Sequence, residues 1–110
     1  MLWYEPNKWT YRNNKKRQQV NKKKNGKHVS LVVGERNNTY ANLGLTHSKK
    51  RGHHNNIKLS RNPNKNDKKP SYVRDDLQFH EKKYLEEILN YRRLPKADID
   101  KIMKIINKKR

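Results

Sequence analysis

Fourteen consecutive residues, Asn13 to Gly26, read NNKKRQQVNKKKNG and carry a single apolar side chain, Val20. A stretch of this kind cannot bury enough surface to offset the entropy of ordering it. It is expected to be a flexible basic arm, so the chain divides into residues 1–27 and a folded unit over 28–110. Ahead of the lysine run stand Trp3, Tyr4, Trp9 and Tyr11, four of the nine aromatic residues. Interleaved with Lys8 and Arg12, they can stack on unpaired bases, fold back on the domain, or dock on a protein partner.

The remainder is short of apolar material: hydrophobic residues make up 30% of the 110-residue chain. That allows one small core. No cysteine is present, which excludes disulfides and thiolate metal sites. No apolar run reaches the roughly 20 residues of a membrane span, and the N-terminus lacks the pattern of a signal peptide. The expected location is the cytoplasm of a bacterial host, or a virion. Lys and Arg number 29 against 10 Asp and Glu, a formal charge of +19. Self-repulsion of this size is relieved by a polyanion, and nucleic acid, RNA or DNA, is the expected partner. The basic arm lacks an amphipathic apolar face, so a membrane surface is not expected to bind it.

Beyond Gly26 the pattern becomes β-branched with period two. His28 to Val33 reads as a strand, Arg36 to Thr39 as a turn, and Tyr40 to Thr46 as a second strand. Ile57-Lys58-Leu59 and Tyr72-Val73 supply a third and fourth, separated by the Asn- and Pro-rich loop of residues 61–70. Residues 78–94 fit a helix or a strand equally. After Pro95, the spacing of Ile99, Ile102, Met103 and Ile106 predicts an amphipathic helix with Asp98 and Asp100 near its start and lysines near its end. The expected fold is α+β: a small SH3-like β-barrel or curled antiparallel sheet closed by a C-terminal helix.

This order of elements, from Gly26 to Ile106, resembles the MazF/PemK toxin superfamily. The segments Leu45-Thr46-His47-Ser48, Asn56-Ile57-Lys58-Leu59, Asn62-Pro63-Asn64 and Ser71-Tyr72-Val73 are also similar to small proteins of phages and mobile elements, a likeness that implies no activity. The toxin resemblance implies an SH3-like barrel that cuts single-stranded RNA without a metal, using an Arg entering the first long strand and a Thr ending the second. Thr46 matches that Thr. The Arg-Pro-Val entrance corresponds here to Lys27-His28-Val29, so Lys27 or His28 would have to stabilise the phosphate, and Lys lacks the planar fork of Arg.

Read without the family, a metal-free ribonuclease needs a base, an acid and a cation. His28, His47, His53 and Lys27 are the candidates, although the cations around His47, His53 and His54 are expected to favour neutral rings. The spacing of those three histidines does not suggest a metal, and no cofactor is implied. Phosphate binding needs less. Lys15, Lys16, Arg17, Lys22, Lys23 and Lys24 on the arm are its candidates. So are Lys49, Lys50, Arg51 and His53 on a compact loop, and Lys58, Arg61, Lys68 and Lys69 on the next segments. No helix-turn-helix, zinc finger or RNA-recognition motif frames these residues. The expectation is a nonenzymatic nucleic-acid-binding protein. The alternatives are a toxin-like endoribonuclease and a virion or interaction protein docking through residues 1–27.

Overall fold

The computed structural model describes residues 1–13, 27–51 and 54–109. Residues 14–26, with the six basic candidates of the arm, lie outside the described residues, as does His53. At the centre is the expected hairpin: β2 (Lys27–Arg36) pairs antiparallel with β3 (Thr39–Thr46), with Arg36 opposite Thr39. A two-residue loop joins them, and two-residue hairpin loops call for positive φ. Asn37 adopts φ 52°, a value Asn tolerates because its side chain can bond locally.

The first thirteen residues depart from expectation. They are not an arm: β1 (Leu2–Asn13) pairs along the outer side of β2, from Leu2 opposite Glu35 to Asn13 opposite Lys27. Lys8-Trp9-Thr10-Tyr11-Arg12 alternates polar and aromatic residues, the pattern of a strand with one buried face. Trp9 is 2% exposed and packs in the core, its ring 5.8 Å from that of Tyr91. Trp3 is half-buried against Gly34, where an added Cβ would sit 2.9 Å from the indole and from Leu2 O. Of the three roles open to these aromatics, Trp9 and Trp3 take the fold-back one, and Tyr11 is half-buried with them. The side chain of Tyr4 lies outside the description. Pairing shifts between Trp3 and Lys8, where buried Pro6 has no N–H to offer a ladder.

On the other side of β3 lie β7 (Tyr72–Val73) and then β6 (Ile57–Lys58). The segment that sequence left undecided resolves into β8 (Gln78–Glu81), also paired with β3, a 3₁₀ turn at Lys82–Tyr84, and β9 (Glu87–Ile88) on β1. Two further short strands, β4 (Lys50–Arg51) and β5 (His54–Asn55), form a separate hairpin. The main sheet runs β6-β7-β3-β2-β1-β9, and no pairing joins its two ends among the described residues. Of the two expected forms the SH3-like barrel is corrected, and the antiparallel sheet, left open, is the one found. Irregular register on both sides of Val33 bends β2, as bulges do, without bringing the ends together.

Helix α1 (Lys96–Lys109) covers one face as its spacing predicted. Ile102 and Ile106 are fully buried against a core that includes Trp9, Leu31, Leu43 and Val73. Asp98 is buried in the first turn, where it accepts from Ser60 N at 3.0 Å and Ser60 Oγ at 2.7 Å. No helix among the described residues is long and apolar enough to cross a membrane.

Candidate nucleic-acid interface

Alternation along the strands leaves the second face of the sheet polar. While Trp9 points into the core, Lys8, Thr10 and Arg12 belong to the opposite face, and register sets Thr10, Ser30 and Gly44 in one row across β1, β2 and β3. Small side chains in that row leave room above them. Arg12 spans it: Nη1 lies 2.9 Å from His80 Nε2 and 3.5 Å from Gln78 Oε1, both on β8. Three strand spacings separate β1 from β8, about 14 Å on a flat sheet and more than an arginine can reach. The sheet must curl to make the contact, and the concavity is the site.

A cleft of about 420 Å³ opens there, lined by Arg12, His28, Ser30, Thr46, Arg74 and Gln78 among others. Each wall has a local cause. Arg74 follows β7, its N–H bonded to Gly44 O at 2.8 Å, and its side chain crosses Gly44, where an added Cβ would meet Arg74 Cδ at 3.1 Å. Asp76 holds that guanidinium at both oxygens, 3.1 Å to Nε and 3.2 Å to Nη2, and also accepts from Gln78 Nε2 at 3.0 Å. Gln78 thereby links the two arginines. Two guanidiniums against one carboxylate leave the wall cationic, and guanidinium is a planar donor that matches an oxyanion.

His80 closes the network under unusual terms. Both of its ring nitrogens face nitrogen: Nε2 meets Arg12, and Nδ1 lies 2.9 Å from Asn42 Nδ2. Asn42 Nδ2 also donates to Gln78 O at 3.2 Å. Arginine can only donate. A neutral imidazole satisfies one of these contacts and an imidazolium neither. Burial, and then the Arg12 charge, hold the His80 pKa below its ordinary 6.5.

A smaller cleft of about 210 Å³ adjoins the first, sharing His28, Val29, Leu45 and Thr46 and continuing to His47, Asp67 and Tyr91. Its far wall is the loop of residues 61–70, held by successive Asn and Asp turns. Asn62 Oδ1 accepts from Asn64 N, Asn64 Oδ1 from Asn66 N and Asp67 Oδ1 from Lys69 N, each at 3.0 Å. The Lys69 N–H bond pulls the Asp67 carboxyl below its usual pKa, opposed next by burial and aided in lesser degree by the His47 charge. The expected all-cationic surrounding of His47 is corrected: Nε2 lies 3.3 Å from Asp67 Oδ2 and Nδ1 lies 3.0 Å from Pro70 O. An acidic loop residue therefore faces this ring.

The sequence candidates sort accordingly. His28 and Thr46 come together on the edge common to both clefts, and the Thr46 hydroxyl accepts from Ser48 N at 3.1 Å. Lys58 and Thr46 share one cross-strand row through Tyr72. Lys49, Arg61, Lys65, Lys68 and Lys69 are exposed on the flanking loops. The backbones of Lys27, Lys50 and Arg51 lie in β2 and β4, and their side chains lie outside the description. Buried Trp9 cannot offer its face to a base. Sequence reasoning named Arg12 only as interleaved with the aromatics and passed over Asn42, Arg74, Gln78 and His80, although Arg74-x-Asp76-x-Gln78-x-His80 is itself a period-two polar stripe. Among the described residues no three His, Cys, Asp or Glu gather as a metal ion would require. Comparison with known proteins finds no matching family model, no similar curated protein and no similar solved structure.

Proposed function

We propose that this protein binds nucleic acid without cutting it, seating a backbone phosphate in the large cleft and adding unspecific contacts from the lysines of its flanking loops. The observation that carries the reading is the paired wall of Arg12 and Arg74, cross-braced by Gln78 on the polar concave face of a chain whose formal charge is +19. A recessed, two-arginine wall suits a phosphate because guanidinium matches its geometry with two parallel donors. Exposed Lys49, Lys58, Lys65, Lys68 and Lys69 add charge without base readout. The test is the absorbance ratio at 260 and 280 nm of protein purified at low salt, then washed at about 1 M salt, where screening falls to roughly 3 Å. Nucleic acid released by salt is the expected result, and its sensitivity to RNase or DNase identifies the polymer. Protein free of nucleic acid at low salt overturns the reading.

One observation favours a second reading, a toxin-like endoribonuclease. His28 and Thr46 share a cleft with Arg12 and Arg74, so the guanidinium lacking at Lys27-His28 can come from neighbouring segments. In that reading expression arrests growth and Thr46→Ala relieves the arrest. Normal growth with intact cellular RNA removes it.

A further inference from the structure

Arg12 is already engaged through Nη1. In the structure it is held by His80 Nε2 at 2.9 Å, with Gln78 Oε1 a weaker partner at 3.5 Å. A phosphate in the cleft would offer Arg12 anionic oxygens, better acceptors than a neutral imidazole nitrogen. We propose that a nucleic-acid phosphate entering the large cleft takes over the Arg12 donor now held by His80, and that the released His80 nitrogen takes up a proton from solvent. The inference rests on the nucleic-acid reading and adds to it a regulation of the same site: binding is tied to proton uptake at a residue that need not touch the ligand.

The argument is electrostatic and geometric together. Charges on the elements packed around His80 are Lys8 and Arg12 of β1, His28 and Glu35 of β2, Lys82 of the 3₁₀ turn, and Asp76 ahead of β8. Arg12 meets the ring directly. Lys8 and Lys82 are taken up at Tyr40, which lies opposite His80 on β3: Lys8 Nζ bonds the Tyr40 hydroxyl at 2.8 Å, and Lys82 pairs with Glu35. Asp76 is occupied by Arg74 and Gln78. Burial, and then the Arg12 guanidinium, therefore favour the neutral form of His80 in the free protein. A phosphate on Arg12 cancels that charge and frees Nε2. With Nε2 accepting from Arg12, the neutral ring already carries its hydrogen on Nδ1 against Asn42 Nδ2, so a proton taken up at Nε2 adds no new conflict there. By linkage, a ligand that raises the proton affinity of a group binds more tightly as pH falls through that group's titration.

The experiment is a proton NMR titration of the full chain, free and saturated with a short oligothymidylate, whose phosphodiesters do not titrate near neutrality. The resonance absent from His80→Gln assigns the ring. Expected are an upward move of the His80 midpoint by about one pH unit on saturation and a matching rise of about tenfold in oligonucleotide affinity from neutral to acidic pH, since one unit of differential protonation is a factor of ten in the equilibrium constant. His80→Gln should lose about that factor, while any rise due to His28 remains. A His80 midpoint that stays fixed while the oligonucleotide binds overturns the inference and leaves nucleic-acid binding standing. Failure of any oligonucleotide to bind at low salt overturns both. The midpoint is read on the unaltered protein, so the inference stays open to refutation even if the variant folds poorly.

Discussion

Gly44 is where a missing side chain does most for the site. Arg74 passes close beside the position a Cβ would take, with Cδ at 3.1 Å, and Asp76 pins the guanidinium beyond it. Gly44→Ala is expected to leave the sheet folded but push Arg74 off the floor of the cleft. The slope of log affinity against log salt should then become shallower by about one unit, the share of one phosphate contact. An unchanged slope would mean that Arg74 does not bind phosphate. Trp9 tests a different claim. As a buried core residue, Trp9→Ala should cost about 3–5 kcal/mol in denaturant unfolding, whereas an exposed stacking residue would cost almost nothing in stability. These two residues also mark the limit of legibility. The alternation around Trp9 was visible in the sequence, but an aromatic beside a lysine run reads equally as a stacking platform. What Gly44 does depends on Arg74, thirty positions away, and sequence spacing alone does not bring them together.

Length alone did not decide which elements were readable: the two-residue β6 and β7 were expected, and the twelve-residue β1 was read as part of an arm. The hairpin of β2 and β3 carries several periods of alternation, and α1 repeats its apolar stripe over three turns, so burial of one face is written into each. By contrast β4, β5 and β9 span two residues each, too few for any period, and tertiary pairing alone defines them. Residues 78–94 were ambiguous because their order comes from neighbours: β8 from β3, and Leu89 N from Trp9 O at 2.9 Å. Helix docking has a comparable tertiary fastening in Asp98, which takes both donors of Ser60. Asp98→Ala should lose both bonds to exposed Ser60, whose donors water can take over, and lower stability by about 1 kcal/mol, read as a fall in the melting temperature. A melting temperature equal to that of the parent protein would show that the apolar stripe alone fixes the helix.

At the scale of the whole molecule, curvature turns an ordinary amphipathic sheet into two unlike surfaces. One face closes on α1 through apolar side chains. The other gathers Arg12, Arg74, Gln78 and His80 from strands that would be too far apart if the sheet were flat. The strong positive charge announced a polyanion in the sequence, and that expectation needed no structure. Where the charge would be concentrated was not legible, because the lysine runs drew attention to the loops while the arginines of the cleft stand singly in three-residue contexts with little else to mark them. The central claim is that the cleft, and not the lysine surface alone, grips the phosphate backbone. The most direct measurement is the salt dependence of affinity for short RNA and DNA oligonucleotides, comparing the parent protein with an Arg12→Gln, Arg74→Gln double variant. The account predicts salt-sensitive binding by the parent, and in the variant an affinity lower by at least about tenfold at low salt with a slope shallower by about two units. Equal affinity and equal slope for the two proteins would contradict it.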